Sequence, residues 1–544
     1  MKRLYFVLSA FVFIISAKTQ AQLDKDSIAM VNDFKITMPA LPVLPTFGND
    51  TIDIAAKQAI GNGAALNTVI INNAIDELSK RGGGVVLIPR GTWLTGPIEL
   101  KSNINLHLDK GAVLLFTKDK NQYQLFETEW EGHQAMRSQS PLYGENLENI
   151  AITGDGVIDG NGDAWRPVKK SKLTPAQWNA LVTSGGVLSN DGKIWYPSEG
   201  YIKGEHTKDA GIIEAGKKQK DYTSMKDFFR PNLLVLKNCK NVLLEKTTFQ
   251  NSPAWCLHLL MCKNITVKNI QVNNPYYAQN GDGIDVESCS NVLIEGSAFA
   301  TGDDGICMKS GRDAFGRKRN MPTQNVIVRN NIVYHSHGGF VIGSEMSGGI
   351  HNIFVYNNSF IGSDNGLRFK TVRGRGGMVS NVYVDNIYMK NIIHDAILFD
   401  MYYEVTASSV GDVMDSRPEP VTVATPQFQD FKIENVVCEG AARGIFIRGL
   451  PEMHVKNILL KNIKLDAKKA VEIMEATNIR LDNISIKAEA NSKSLIDIHN
   501  VENVSFNNIQ SNDEVENVFS VSGKKNKSIN VSNINVPNAQ NKTL

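Results

Sequence analysis

The stretch "MCKNITV" (Met261–Val267) contains a pattern that recurs along the chain and decides its fold. In this pattern an asparagine is followed by Ile or Val, then by any residue, and then by another apolar residue. Copies within a run of repeats lie 21 to 34 residues apart. Their asparagines are Asn149, Asn241, Asn264, Asn291, Asn325, Asn352, Asn381, Asn457, Asn478 and Asn503. Self-similarity at such a period indicates a solenoid.

The alternation after each asparagine has the period of a strand, not of a helix. We therefore expect short strands in every repeat, stacked into parallel sheets with neighbouring strands about 4.8 Å apart. Asparagines at equivalent turns could then form a hydrogen-bonded ladder. A leucine-rich repeat has a similar period, but its L-x-x-L-x-L pattern is absent. The predicted fold is all-β, a right-handed parallel β-helix with an N-terminal capping helix and loop insertions.

The ends of a solenoid expose sheet edges and need caps. Residues 66–84, "LNTVIINNAIDELSKRGGG", predict an amphipathic helix that covers the N-terminal end, and the glycines after Arg81 end it. Its predicted apolar face consists of Val69, Ile70, Ala74, Ile75 and Leu78. We expect a lead-in segment at 22–60 and a β-helical domain at 61–544. An insertion at about 161–230, which contains three tryptophans, is expected to form an ordered excursion packed over one face.

The N-terminus has the composition of a secretory signal peptide over residues 1–21. Lys2 and Arg3 precede an apolar run, Leu4 to Ala17, which is too short to span a membrane. We expect a soluble, exported protein, periplasmic or secreted, with no membrane anchor. Export would remove three of the 58 basic residues and leave 55 against 56 acidic ones. This balance gives no attraction to nucleic acid.

Three of the six cysteines stand two residues before an asparagine of the repeat, in "NCKNV", "MCKNI" and "SCSNV". Equivalent positions in successive repeats favour stacked, buried thiols over disulfides. The spacing does not fit a zinc site, and we expect neither a metal nor a cofactor.

Four polar clusters follow successive asparagines at similar distances. They are "NGDGIDVES", "GDDGICMKSGRD", "SHGGFVIGSE" and "GLRFKTVRGRGG". Asp282 lies 18 residues past Asn264, Asp304 13 past Asn291, His337 12 past Asn325, and Arg368 16 past Asn352. Each cluster alone could be a turn or a solvated surface. Their common phase predicts that they lie on one face of the solenoid, in neighbouring coils.

Carboxylates, a histidine and two cations on one face suit acid/base hydrolysis of an acidic polymer. Glycoside hydrolysis needs one protonated carboxyl for the leaving oxygen and one ionised carboxylate as base or nucleophile. Crowding of carboxylates drives their pKa values apart. Arg and Lys can bind a substrate carboxylate.

The order N-x-D, G-D-D, x-H-G and R-x-K on a β-helix resembles glycoside hydrolase family 28, the polygalacturonases. The resemblance extends from the capping helix to about residue 440 and is strongest over 280–377. It implies an exported enzyme that cleaves α-1,4-galacturonosyl linkages of polygalacturonate with inversion, acts without a metal, and has acid and base far enough apart to admit water.

The resemblance also implies a role for each matching residue. Asp303 would be the general acid, Asp282 and Asp304 would activate water, and His337 would support the acid. Arg368 and Lys370 would bind the galacturonate carboxylate. Asn280 opens the first motif, and Tyr402 occupies the place of a substrate-contacting tyrosine, with Tyr403 beside it. Ser336 and Phe369 depart from the usual glycine and isoleucine of the motifs, and neither position bears a catalytic group.

The stretch "KSGRDAFGRKR" followed by "HGGFVIGSEMSGG" is similar to the exo-acting bacterial branch of the family. The insertion at 161–230 could close one end of the groove, and Lys309 and Arg312 become candidates for further carboxylate contacts. The protein would act as a monomer.

Three alternatives remain open from the sequence. The first is a rhamnogalacturonan or xylogalacturonan hydrolase of the same family. The second is a calcium-dependent pectate lyase, which would not need His337 beside an Asp-Asp pair. The third is a non-catalytic β-helical carbohydrate-binding protein, which would leave the common phase of the titratable groups unexplained.

Overall fold

The structure, a computed structural model, describes residues 37–403, 417–489 and 492–542. Within them the chain forms the predicted right-handed parallel β-helix, since nearly every strand pairs in parallel with the equivalent strand of the next coil. The predicted signal peptide at 1–21 lies outside the described residues. No helix in the described ranges combines the length and apolarity that crossing a membrane requires.

Each coil contributes strands to three parallel sheets, which we call A, B and C. Sheet A contains Ile98–Glu99, Leu142–Glu145, Leu234–Lys237, Leu257–Leu260, Ile284–Glu287, Ile306–Lys309, Phe340–Ile342, Leu367–Lys370 and Asp395–Asp400. Sheet B contains Thr51–Asp53, Gly84–Ile88, Ile104–Leu108, Glu148–Thr153, Lys240–Glu245, Lys263–Lys268, Ser290–Glu295 and Thr323–Arg329. Sheet C contains Gly91–Thr95, Ala112–Phe116, Val157–Asp159, Thr248–Gln250, Gln271–Asn273, Ala298–Ala300 and Ile332–Tyr334.

Towards the C-terminus, single strands turn a corner and serve two or more sheets. They are Ile350–Ile361, Met378–Lys390, Gln427–Arg448, Val455–Lys487 and Ser492–Ser511, followed by Val515–Ser522, Lys527–Asn535 and Ala539–Asn541. These coils confirm the β-helical prediction for the region after residue 445. One apolar core runs through the solenoid from Ile52 to Val536.

The first strand, Thr51–Asp53, already pairs with Val85–Leu87. The β-helix therefore begins inside the segment predicted as a lead-in, ahead of residue 61. The capping helix spans Thr68–Lys80 and buries Ile71, Ala74, Ile75 and Leu78. Val69 was wrongly placed on the apolar face and is 70% exposed, because the buried positions follow the helical spacing from Ile71.

The asparagine ladder is present. Each repeat asparagine adopts a left-handed backbone conformation, with φ of 56° at Asn264 and 58° at Asn291. The Nδ2 of Asn264 donates to Oδ1 of Asn241 at 3.0 Å, and the Nδ2 of Asn291 donates to Oδ1 of Asn264 at 3.1 Å. Asparagine suits this corner because its short amide tolerates a positive φ and bonds to the coils on both sides.

Replacing Asn264 by Ala should lower the free energy of unfolding by about 2–4 kcal/mol, because two ladder bonds are lost and alanine tolerates the left-handed backbone conformation less well than asparagine. Asn264→Gly should fall between Asn264→Ala and the parent, since glycine accepts the backbone but makes no ladder bond. Urea unfolding measures both. The exposed neighbour Lys263 serves as control, with less than about 0.5 kcal/mol expected for Lys263→Ala. Equal stabilities for the Gly and Ala variants would contradict the backbone part of the argument.

A second column next to the ladder contains the repeat cysteines. The amide of Cys239 donates to Sγ of Cys262 at 3.3 Å, and the amide of Cys262 to Sγ of Cys289 at 3.2 Å. All six cysteines are free and buried, which confirms the prediction of stacked thiols.

The excursion from the solenoid at 161–230 contains the helices Pro175–Thr183, Glu199–Glu205 and Gln219–Tyr222 and a small antiparallel sheet, Val168–Lys169, Ile194–Tyr196 and Val187–Leu188. Its three tryptophans, Trp165, Trp178 and Trp195, are buried. An antiparallel hairpin, Leu125–Trp130 and His133–Ser138, was not expected from the sequence. A helix at Asp313–Arg319 leads out of sheet A, and short 3-10 turns lie at Ala55–Lys57, Lys120–Gln122, Gly162–Ala164, Lys170–Lys172 and Thr223–Phe228.

Candidate active site

The turns that lead from sheet C into sheet A carry the predicted catalytic residues in register. The amide of Gly283 donates to the carbonyl of Asp304 at 2.9 Å, so the turns of Asp282 and Asp304 are stacked on neighbouring coils. The amide of His337 donates to the carbonyl of Asp303 at 2.9 Å, which places the histidine one coil further along. The structure thus brings Asp282, Asp303, Asp304 and His337 together.

The Asp303 carboxylate is held by both neighbouring coils. Its Oδ1 accepts from the amide of Asp304 at 3.0 Å, and its Oδ2 accepts from the amide of Asn280 at 3.2 Å. Nδ1 of His337 lies 3.2 Å from Oδ1, while Nε2 lies 3.7 Å from Oδ2 of Asp364. The hydrogen bond to Asp303 raises the pKa of His337 above its ordinary value, against the opposing effect of burial. The pair therefore retains a proton on the imidazole above the usual histidine range.

Asp304 is buried and paired with two cations. Nζ of Lys370 lies 2.7 Å from its Oδ2, and Nη1 of Arg368 lies 3.0 Å from its Oδ1. Burial alone would raise the pKa of Asp304, but Lys370 and Arg368, helped by Lys309, outweigh burial and hold the pKa far below its ordinary value. Asp304 is therefore an ionised carboxylate across the working pH range.

Arg368 and Lys370 reach Asp304 across an intervening coil. Both point outward from Leu367–Lys370, whose Leu367 and Phe369 are in the core. In the coil between them stands Gly338, where a β-carbon would lie 3.2 Å from Cδ of Arg368 and 2.4 Å from Cγ2 of Val341. A side chain after His337 would therefore clash with Val341 and crowd the arginine.

Asp282 is buried, and its Oδ1 has no hydrogen-bond partner among the described residues. Burial, followed by the nearby charges of Asp285 and Asp303, raises the pKa of Asp282 well above its ordinary value. One oxygen of each of Asp282, Asp303 and Asp304 lies within 4.8 Å of the others. Inverting enzymes usually have roughly 6.5–9.5 Å between their carboxyl groups, and a separation of up to 4.8 Å between single oxygens is enough for one water to lie between two of them.

Lys309 and Arg312, predicted as further carboxylate contacts, already face protein carboxylates. Nζ of Lys309 lies 2.9 Å from Oε2 of Glu345 and 3.7 Å from Oδ1 of Asp285. Lys309 lines a pocket, here called the catalytic pocket, whose other lining residues include the three aspartates, Glu345 and Lys370. Nη1 of Arg312 lies 3.6 Å from Oε2 of Glu131, in the adjoining cavity.

The tyrosine assignment needs correction. Tyr402 is buried in the core, and its ring contacts Arg373 and Arg448 at 5.3 and 5.1 Å. Tyr403 lines the catalytic pocket, with Nζ of Lys370 4.7 Å from its ring centre. Tyr403 therefore takes the place in the site that the sequence assigned to its neighbour.

Sequence reasoning missed two residues at the tip of the hairpin. Trp130 stacks on Trp255 with ring centres 4.5 Å apart. Glu131 lines both the catalytic pocket and the adjoining cavity, and burial followed by the charge of Glu345 raises the pKa of Glu131. No local pattern could reveal them, because the hairpin lies more than one hundred residues before the catalytic coils in the chain.

A network of buried charges fixes the hairpin to the solenoid. Arg319 donates to Glu129 on the hairpin, and its Nη1 lies 2.8 Å from Oε1 of Glu287 in sheet A. Nε2 of His258 lies 3.0 Å from Oε2 of the same glutamate. The network holds Glu131 at the mouth of the catalytic pocket.

A cavity of about 610 Å³ adjoins the catalytic pocket. Its walls are the hairpin and the end of the insertion, including Tyr201, Phe228 and Arg230, and Asn280 separates it from Asp303. This volume lies in the range of ligand sites. Residues of the insertion thus line one side of this cavity.

The fold and the site together define a β-helical glycoside hydrolase. A match to the model of "Glycosyl hydrolases family 28" covers residues 169–416. Among solved structures, an exopolygalacturonase from Thermotoga maritima is 30% identical with a TM-score of 0.65, over 82% of this chain and 93% of that one. The chain belongs to glycoside hydrolase family 28.

Two relatives of known name are also similar. The "Exo-poly-alpha-D-galacturonosidase" of Dickeya chrysanthemi is 26% identical over 85% of this chain and 77% of its own length. A protein of Vitis vinifera called "Probable polygalacturonase" is 29% identical over 76% of this chain and 74% of its own. The resemblance inferred from the four clusters is confirmed, and the protein is an enzyme.

Proposed function

We propose that the protein hydrolyses α-1,4-galacturonosyl linkages of polygalacturonate from a chain end, with inversion of configuration. The observation that carries the proposal is the in-register cluster of Asp282, Asp303, Asp304 and His337 with two cations beside it. The family and the names of the relatives support the reaction and the substrate.

Asp303 is the proton donor in this mechanism. It is the most exposed of the three carboxyls, with 21% of its side chain accessible, and can meet the glycosidic oxygen. His337, bonded to it at 3.2 Å, holds a proton in reserve because its pKa is raised. As the glycosidic bond breaks, Asp303 passes the proton of the imidazolium to the leaving oxygen. The neutral imidazole then regains a proton from solvent, and the base releases to solvent the proton that it took from water.

Asp304 is the base. Its lowered pKa keeps it ionised, whereas the raised pKa of Asp282 favours a protonated carboxyl. An oxygen-to-oxygen distance of up to 4.8 Å allows one water to bridge these two residues at about 2.8 Å from each. Asp304 takes a proton from that water and Asp282 orients it, which refines the equal roles that the family resemblance implied.

Arg368 and Lys370 provide the contacts for the substrate carboxylate. Each has donors beyond the one that binds Asp304, since a guanidinium has five N–H groups and an ammonium three. Nε of Arg368 has no hydrogen-bond partner in the described ranges. Their position beside the base supports the binding of a galacturonate in the cleaved subsite.

The enclosed cavity supports attack at a chain end. Polymer passing through an open groove could be cut internally, but the hairpin and the insertion stand across one side of the site. The N-terminal pattern supports export, and a monomer suffices for this mechanism.

Digestion of polygalacturonate tests the proposal. We expect saturated monomer or dimer early, with a slow fall in viscosity. A ladder of saturated oligomers together with a rapid fall in viscosity would show that the enzyme cuts inside the polymer and not from its end. Unsaturated ends, or loss of activity with chelator, would establish the lyase instead. Cleavage only of rhamnose- or xylose-bearing pectins would establish the related hydrolases.

We expect the pH dependence of kcat/KM to respond to the charge of Asp364. The imidazolium of His337 is populated below its raised pKa and lost above it, so kcat/KM should fall on the alkaline side as His337 deprotonates. Asp364 also raises the pKa of His337. Asp364→Asn should therefore move the alkaline limb to lower pH by about half a unit, as befits a partly exposed pair. Measurement of kcat/KM from pH 4 to 9 checks this. An unchanged limb would show that His337 does not govern it.

A further inference from the structure

Two buried arginines lie in the wall of the cavity beside the catalytic pocket. Arg137, from the hairpin, is 8% exposed, and Arg230, from the end of the insertion, is 6% exposed. The guanidinium of Arg137 stacks on Trp130, with its carbon 3.7 Å from the ring centre. The stacking leaves the edge of the guanidinium available for hydrogen bonds.

The two arginines have only neutral oxygen partners. Arg137 donates to the carbonyl of Arg230. Arg230 donates to the carbonyls of Pro253 at 3.0 Å and Gln279 at 2.8 Å and to Oδ1 of Asn280 at 2.9 Å. Within the described ranges neither forms an ion pair. Of the other buried arginines, Arg375 and Arg448 each pair with a carboxylate, whereas Arg166 donates to a carbonyl and has no ion pair among the described residues.

Two like charges without an ion-pair partner are costly to bury. Burial, and then the charge of Arg230, lower the pKa of Arg137 to about 9. The carboxylates that line the same cavity are Glu131, Glu205 and Asp209. The charge of Glu131 opposes part of the lowering of the Arg137 pKa, but the cation within ion-pair distance of Glu131 is Arg312, at 3.6 Å. An anion that enters from solvent would compensate the two charges and use the free edge of the guanidinium.

The arginines also connect to the reacting groups. Arg230 binds the side chain of Asn280, and the amide of Asn280 binds Asp303. An anion bound to the pair would thus lie in the cavity next to the general acid.

We propose that Arg137 and Arg230 form a carboxylate-binding subsite for the terminal galacturonate of the chain. The assignment rests on the proposed function and deepens it, because it names the part of the substrate that fills the cavity. The subsite selects an end sugar that is charged and fixes how far the chain enters.

A cycle between protein and ligand tests the subsite. The ligands are digalacturonate and its two derivatives in which a single carboxyl is reduced to the alcohol. Each is titrated by calorimetry into the Asp303→Asn variant, which prevents turnover, and into the double variant that also carries Arg137→Gln. Arg137→Gln should weaken digalacturonate binding about 10- to 100-fold, the loss expected for hydrogen bonds to a charge. It should scarcely affect one of the two derivatives, namely the one lacking the carboxylate that faces Arg137.

Equal weakening for all three ligands would overturn the subsite, and so would no weakening for any. Arg329→Gln is the matched control, because Arg329 pairs with Glu295 on sheet B and should leave binding unchanged. If Arg137→Gln does not fold, Arg137→Lys decides. Lysine keeps the positive charge but lacks the paired N–H donors of the guanidinium. If Arg137→Lys binds digalacturonate as tightly as the parent does, the subsite is overturned.

The test of the subsite can fail independently of the test of the proposed function. Binding is measured without turnover, so a failure to cleave polygalacturonate would leave the subsite testable with the same ligands. Conversely, normal cleavage with unselective binding would overturn the subsite alone.

Discussion

Asp303→Asn should lower kcat on polygalacturonate by about 10²–10⁴-fold, the usual contribution of general acid catalysis. The amide keeps the shape of the carboxyl, and its oxygen can still accept from one of the two backbone amides, of Asn280 or Asp304, that Asp303 binds, but it cannot deliver a proton to the leaving oxygen. KM should change much less, because Asp303 contributes little to ground-state binding. Initial rates over a range of substrate concentrations measure both constants.

A substrate with a good leaving group distinguishes loss of the acid from general damage. An aryl galacturonide whose phenolate departs without a proton should lose far less rate in Asp303→Asn than polygalacturonate does. Asp313→Asn is a suitable control. The Asp313 carboxylate lies 2.8 Å from Nη1 of Arg375 and does not line the catalytic pocket. An equal loss on both substrates would show that Asp303 is not the donor.

Lys370→Met should lower kcat/KM by about 10²–10³-fold and move the acid limb of the pH profile upward. Lys370 is the first of the cations that lower the pKa of Asp304 against burial. Without it, the pKa of Asp304 rises, and the base is protonated at a higher pH than before. A depressed carboxyl pKa contributes stability that is present above the unfolded value and lost as pH falls through the folded value. The variant should therefore also lose stability at neutral pH.

The pH dependence of kcat/KM from pH 3 to 7 and urea unfolding at pH 7 measure the two effects. Breaking a buried pair usually costs about 3–5 kcal/mol. Lys370→Arg is the control, since it keeps the charge and should restore part of the activity. A loss of activity with the acid limb unmoved would mean that Lys370 binds substrate but does not tune Asp304.

The sequence predicted the coils and the catalytic cluster because both depend on local periodicity. The spacing of Asp282, Asp304 and His337 from their asparagines becomes alignment in space once equivalent turns stack. Burial of Leu367 and Phe369 likewise follows from alternation along a strand, which places Arg368 and Lys370 outside.

Other features depend on contacts that periodicity does not encode. Tyr402 and Tyr403 follow the end of the strand Asp395–Asp400, where alternation ends, so the sequence could not choose between them. Arg137 and Arg230 come from a hairpin and an insertion that leave the repeat altogether. The raised pKa of Asp282 results from its burial near Asp285 and Asp303, and burial depends on the packed structure.

The central claim is that Asp303 protonates the leaving oxygen while Asp304 activates water on the opposite side of the sugar. Proton NMR of the native enzyme acting on a homogeneous oligogalacturonate tests it most directly, since one time course reports the anomer, the product length and any unsaturation. We predict that saturated end sugars appear first as the β-anomer and reach the equilibrium mixture only by mutarotation. The α-anomer as first product would indicate retention, the outcome associated with closely spaced carboxylates, and vinyl protons would indicate elimination. Either result would contradict the mechanism.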